Sequence, residues 1–175
     1  MDNFLILRTF HDEILKESKK PKKFDVFLSH KQSEAQDRAK LYKCELAHHG
    51  LKAFYDRDEL EDKDWTPQKV IELVARSSSL IFFMTPTILN ASWCLWELYI
   101  AMIAKIPIVF LMVDSWPNEA IPFSSFKFPP YFEPLLTHKK VIIDSRYTFN
   151  TVLKKVLQQL KIRKRLAKKT RKIRN

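Results

Sequence analysis

Five short apolar runs, each separated from the next by a stretch with helical signals, constrain this chain more than any other feature. They are Phe-Asp-Val-Phe-Leu-Ser at 24–29, Leu-Lys-Ala-Phe-Tyr-Asp at 51–56, Leu-Ile-Phe-Phe-Met at 80–84, Ile-Val-Phe-Leu-Met-Val at 108–113 and Val-Ile-Ile-Asp at 141–144. Runs this short and this apolar suit strands covered on both faces, as in a parallel sheet. Between them the helix signals recur. Ser33 with Gln36 forms a capping-box pattern, and the helix that follows runs to His48-His49-Gly50, with glycine just past its end. Thr66-Pro67 reads as an N-cap and first helical residue, with the helix reaching about Ser77; Ser92 or Asn90 caps another. Phe149, Val152, Leu153, Val156, Leu157 and Leu160 make an amphipathic stripe. Alternation of this kind predicts an α/β sandwich whose parallel sheet carries helices on both faces.

Ligands in such sheets collect outside the carboxyl ends of the strands, near a topological switch point. The first three runs are followed by Ser29-His30-Lys31, by a charged loop over 56–65, and by the segment leading to Glu97. These three segments are expected to meet in one crevice. Glu97 is the notable member, a lone acid among Trp93, Trp96, Leu98 and Ile100 in the first two turns of its helix. An acid so flanked either faces water or sits half-buried with its ionisation tuned by the site. Trp93, one turn earlier on the same face, reads equally as core packing or as a pocket wall. Cys94 reads as a small buried hydrophobe and not a nucleophile.

Composition narrows the classes further. A chain of 175 residues makes one well-buried domain. The formal charge is +11, yet residues 161–175 hold nine Lys and Arg and no acid, which leaves +2 for everything before them. The expected organisation is a helical extension and basic linker over 1–21, a domain over 22–160 and a basic tail over 161–175. Such a tail suits anionic membrane or nucleic acid, although it lacks the aromatic platforms that stack on bases. Two distant cysteines, Cys44 and Cys94, predict a reducing, cytoplasmic compartment and no metal site. A single glycine, Gly50, excludes the Gly-x-Gly-x-x-Gly dinucleotide turn and the P-loop, each of which needs several positions without a Cβ. Lys105 and Pro107 interrupt the apolar stretch over 98–113, so no membrane span is expected there. Residues 114–138 hold five of the nine prolines, and short helical turns are expected within them.

The motifs resemble those of Toll/interleukin-1 receptor (TIR) domains. Phe24 to Ser29 resembles the family's first strand, Phe54-Tyr55-Asp56 and the charged loop resemble its second strand and BB loop, and Ser92-Trp93-Cys94-Leu95-Trp96-Glu97-Leu98 resembles the Ser-x-Trp-Cys-x-x-Glu-Leu pattern of plant immune-receptor members. The likeness covers about residues 22–160 and implies a flavodoxin-like fold, a five-stranded parallel sheet in the order 2-1-3-4-5. For function it implies two classes. One is an NAD+ glycohydrolase or cyclase, activated by self-association in immune or cell-death signalling, with Glu97 as the catalytic residue and NAD+ as substrate without any further cofactor. The other is a non-catalytic adaptor that works by TIR–TIR association.

Carried over position by position, the resemblance assigns NAD+ binding to Ser29, His30, Lys31, Glu61, Trp65 and Trp93. Lys31 stands where enzymatic members often have arginine. Trp65 would stack on the nicotinamide side, and Trp116-Pro117 is similar to a Trp-Pro contributed by a neighbouring subunit. The BB loop departs from the pattern in having no glycine, with Asp62 or Lys63 at that place. Read from the residues alone, His30 is as well a strand end and Lys31 a solvated charge.

Overall fold

Hydrogen bonding between the apolar runs produces one five-stranded sheet, all parallel, in the order β2-β1-β3-β4-β5. The computed structural model describes residues 9–56, 66–113, 122–137, 141–143 and 149–160. Its strands are β1 (Val26–Ser29), β2 (Ala53–Phe54), β3 (Leu80–Met84), β4 (Ile108–Met112) and β5 (Val141–Ile143). Leu28 lies opposite Ile81, Phe82 opposite Phe110, and Leu111 opposite Ile142. The helices are α1 (His11–Ser18), α2 (Gln32–His48), α3 (Pro67–Ala75), α4 (Ser92–Ile103), α5 (Glu133–Leu136) and α6 over 149–160. Over its described residues, 122–137, the proline-rich segment holds 3-10 turns at Phe123–Ser125 and Pro130–Phe132 ahead of α5, the short helical turns expected there.

The period of two along each strand divides the core. Phe27, Leu80, Phe82 and Phe110 pack on one face with Val70 of α3 and Leu98 of α4, while Leu28, Ile81, Phe83 and Val109 pack on the other with Tyr42 of α2 and Val156 of α6. The chain leaves β1 for β2 on one side and then crosses to β3 on the other. The switch point therefore lies at the carboxyl ends of β1 and β3, and it is there that β1 hands over to His30 and β3 leads on to α4.

Helix ends differ in part from the sequence expectation. Thr66 caps α3, its Oγ1 accepting from the Lys69 amide at 3.1 Å, with Pro67 at the first position. By contrast α2 starts at Gln32 with extended Lys31 as N-cap, and α4 starts at Ser92 with Ala91 as N-cap, neither receiving a side-chain cap. α2 thus begins ahead of Ser33, the first residue of its capping-box pattern, and Ser92 is already inside α4. At the other end of α2, Gly50 has φ 71°; its amide donates to Ala47 and that of Leu51 to Leu46, the Schellman arrangement. The end of α4 repeats these bonds with Lys105 at φ 54° in place of glycine.

Upstream of β1, α1 rests against α3 and α4. Its Ile14 is fully buried, and the Phe10 ring meets Trp96 of α4 edge-on at 5.5 Å. The basic linker is fastened as well: Lys22 Nζ donates to the Ala75 carbonyl at the end of α3, Lys23 pairs with Glu72, and Arg76 Nε donates to the Pro21 carbonyl. Ile14→Ala is expected to lower the unfolding free energy by about 2–4 kcal/mol, from lost burial plus a cavity. Urea denaturation measures it; a loss below about 0.5 kcal/mol, the range of surface substitutions, would mean that α1 is not seated on the domain. The tail over 161–175, Glu61, Trp65 and Trp116-Pro117 lie outside the described residues.

Candidate functional site

A cavity of about 370 Å³ opens at the switch point. The end of β1 supplies His30 and Lys31, the start of α2 supplies Gln32, and Asp56 comes from just past β2. Ala91, Trp93, Cys94 and Glu97 line the opposite wall from the start of α4. Glu97 is 6% exposed and Trp93 47%, so the acid sits in the depth of the wall and the indole stands at its rim. Of the two readings left open for Trp93, the geometry selects the pocket wall over the core.

Ser29 does not line the cavity but lies behind it, fully buried, its Oγ donating to Glu97 Oε2 at 2.5 Å. A second link ties β1 to α4, Cys94 Sγ donating to the His30 carbonyl at 3.4 Å. Burial pushes the Glu97 carboxyl up to about 8; the Ser29 hydroxyl acts against this and the nearby Asp56 charge adds to it. Burial, with the Glu97 charge beside it, also pushes the Cys94 thiol far up, which removes it as a nucleophile. Since Ser29 favours the ionised form, Ser29→Ala is expected to raise the Glu97 pKa further. Carboxyl titration followed by 13C NMR should move to more alkaline pH, and an unchanged midpoint would show that the hydroxyl does not bond Glu97.

His30 is held on several sides. Its ring stacks on Tyr55 with centroids 5.3 Å apart, and Nδ1 lies 3.3 Å from the Leu28 carbonyl, which can only accept, so Nδ1 carries a proton. Nε2 then faces Asp56 Oδ1 at 3.7 Å. Gln32 Nε2 donates to the other oxygen of Asp56 at 2.9 Å.

Lys31 lines the cavity, but its ammonium is engaged outside it, donating to Glu34 Oε1 at 2.7 Å and to Thr87. Burial raises the Glu34 carboxyl, and hydrogen bonds from Lys31, Thr85 and Thr87 outweigh it and hold that group at about 2. The i,i+3 spacing of Lys31 and Glu34 at a helix start was visible in the sequence and signals this pairing.

The structure thus brings Glu97, His30, Lys31 and Trp93 around one cavity with Ser29 behind it, while Glu61 and Trp65 lie outside the described residues. Sequence reasoning placed the loop over 56–65 at the crevice without naming Asp56 as a site residue, and it missed Gln32. The signal for Asp56 was its place at the end of the second apolar run, the position that Ser29 holds in the first.

Among the described residues no group of three or more His, Cys, Asp or Glu is placed to hold a metal ion. No helix among them is long and apolar enough to cross a membrane.

The model of one protein family, described as a TIR domain, matches residues 26–140. Among solved structures, the TIR domain of the Toll-related receptor TRR-2 from Hydra magnipapillata is similar, with 13% identity over 79% of this chain and 99% of that one and a TM-score of 0.59. The TIR-STING receptor from C. gigas, solved with 2',3'-cGAMP, matches with 15% identity and a TM-score of 0.57. That match covers 81% of this chain and only 40% of the receptor. At such identities the likeness to solved structures speaks for the fold alone. No curated protein matches the chain.

Proposed function

The chain belongs to the TIR-domain family, and from that premise we propose that it is an NAD+ glycohydrolase in which Glu97 acts on the ribose. The observation that carries this reading is a buried carboxyl in the wall of a cavity at the sheet's switch point, with an exposed indole at the rim. Breaking the N-glycosidic bond of NAD+ expels nicotinamide as a neutral molecule and leaves positive charge on the ribose. Carboxylates meet the same oxocarbenium-like charge in glycoside hydrolases. A carboxylate fixed in a water-poor wall opposes that charge more strongly than one in bulk water, because little solvent or side-chain reorganisation is needed as the charge forms.

Within this reading Glu97 hydrogen-bonds the ribose hydroxyls and stabilises the cation. Ser29 holds one Glu97 oxygen, leaving the other for the sugar. Trp93 offers a face to the substrate at the rim, and Trp65 holds the nicotinamide ring. His30 and Lys31 serve the phosphate side, which requires the Lys31 ammonium to leave Glu34 for the substrate. The neutral departure of nicotinamide calls for no strong general acid. Capture of the cation by water gives ADP-ribose, and capture by the adenine ring gives the cyclic product. Activity rises on self-association in an immune or cell-death setting.

The test is to immobilise the purified protein densely on beads, add NAD+ and follow nicotinamide by chromatography. Release is the expected result. No release from the assembled protein would overturn the enzymatic reading and leave a TIR adaptor that acts by association alone.

A further inference from the structure

The end of the sheet opposite the cavity has a chemistry of its own. All five strands run the same way, so the segments that enter them lie together at one pole. Lys19 and Lys20 follow α1, Lys22 and Lys23 lead into β1, Lys52 stands directly before β2, and Lys105 joins α4 to β4; all six are exposed. The acids described beside them already have partners: Glu17 pairs with Lys20, Glu72 with Lys23 and Arg76, Glu45 lies against His48, and Asp25 accepts from the Lys52 amide. Lys19, Lys52 and Lys105 enter no ion pair among the described residues, and the Lys52 ammonium rides over the Phe24 ring at 4.7 Å. Helix α6 follows β5, begins with Phe149 against Tyr42 in the middle of α2, and so runs back toward this same pole. The sequence continues from it with nine Lys and Arg and no acid over 161–175.

We propose that this lysine-lined pole docks on an anionic membrane surface, with acidic phospholipid headgroups as its ligands, and that the cavity at the other end of the sheet then faces away from the bilayer. The inference is independent of the NAD+ reading. From Lys52 ahead of β2 to Lys105 ahead of β4 is three strand spacings, roughly 15 Å. That exceeds the Debye length of about 8 Å at physiological salt, so these lysines repel one another little, while a plane of acidic headgroups meets each of them separately. Nucleic acid fits the same charges less well. Arginine is the residue that forks onto a phosphate, and Arg76 at this pole is turned onto the Pro21 carbonyl and Glu72. Bases have no platform there to stack on, since Phe24 is buried and the exposed indole of Trp93 is at the other end. Beyond α6, Ile162, Leu166 and Ile173 are interleaved with the basic residues, the composition of segments that lie in a membrane interface.

The experiment sediments the full chain with vesicles of phosphatidylcholine alone or mixed with phosphatidylserine. Binding to the mixed vesicles only, released by added salt, is the expected result. Lys52→Glu combined with Lys105→Glu is expected to weaken it by at least about 25-fold, at roughly fivefold per lysine lost from the surface. Reversing the exposed Lys40 and Lys154, in the middle of α2 and α6, changes the net charge equally and is expected to cost less than about threefold, because these lie beyond a Debye length from the pole. No binding, equal binding to both kinds of vesicle, or equal losses in the two double variants would overturn the inference. Random duplex DNA that binds more tightly than the mixed vesicles at the same salt would assign the pole to nucleic acid and overturn it as well. Should the pole variant not fold, amide exchange of the wild type on mixed vesicles decides. Slowing over 19–26 and 104–107 with none over 91–97 is expected, and slowing at the cavity end, or nowhere, would overturn the proposal.

Discussion

Glu97→Gln is expected to reduce nicotinamide release at least 10²–10³-fold, the usual cost of losing a preorganised stabiliser of transition-state charge, and at the same time to make the protein more stable in alkaline solution. Both follow from the same burial. The Glu97 carboxyl has its pKa at about 8 in the folded chain against an ordinary 4.5. The folded chain therefore binds this proton more tightly than the unfolded one. Its contribution to stability is at its best below about pH 4.5, falls as pH rises, and is fully lost above about pH 8. At 1.36 kcal/mol per pKa unit, the total is on the order of 5 kcal/mol. Glutamine keeps the shape and has no proton to lose, so thermal melts from pH 5 to pH 9 should show the wild type falling away from the variant on the alkaline side. Parallel melting curves would mean that Glu97 is not buried as described.

The same titration bears on catalysis. If the ionised carboxylate meets the ribosyl cation, kcat/KM of the wild type should climb with pH and level off above about pH 8. A variant that gains alkaline stability while losing nicotinamide release separates catalytic loss from misfolding, since an unfolded protein loses release without any gain in stability.

What the sequence made legible and what it did not divide along the length scale of the physics. Parallel strands buried on both faces announce themselves as unbroken apolar runs, and the strand runs were found on that ground. Their ends were not: the second run spans 51–56, yet only Ala53–Phe54 pairs, because β2 is an edge strand with β1 as its sole neighbour. Thr66 was read correctly as a cap since proline beside it fixes the local backbone. Ser33 and Ser92 offered the same hydroxyl without such a neighbour, and tertiary packing placed the helix starts elsewhere.

The site divides in the same way. Glu97 stood out by its apolar surroundings. Its contact with Ser29 joins residues 68 apart in sequence, and no local pattern encodes that pairing. Lys31 was read as a charge for phosphate from its place after β1, while the pairing with Glu34 lay three residues away in plain view. Asp56 was read as the end of a strand and the start of the loop expected at the crevice, and the sheet order, which sets β2 beside β1, brings it to His30.

Phe110→Ala carries the other large expected effect, on the fold and through it on the site. Phe110 is fully buried in the middle of β4. Its ring meets Phe82 at 5.9 Å, Phe123 at 5.2 Å and Phe128 at 5.7 Å, so it joins the sheet to the proline-rich segment. From Phe128 the ring contacts continue through Phe132, Tyr131 and Tyr99 to Trp96, the residue before Glu97 on α4. Removing the first ring costs about 3–5 kcal/mol for a buried phenylalanine, a large part of the roughly 5–15 kcal/mol that holds a domain of this size. That segment is tied down chiefly by rings and short turns, whereas β4 is bonded on both sides. Amide exchange in Phe110→Ala should therefore accelerate over 122–137 by more than it does in β3 and β4 under native conditions. An increase spread evenly over all elements would mean that the segment opens only with the whole domain, and that the ring chain does not couple it separately to α4.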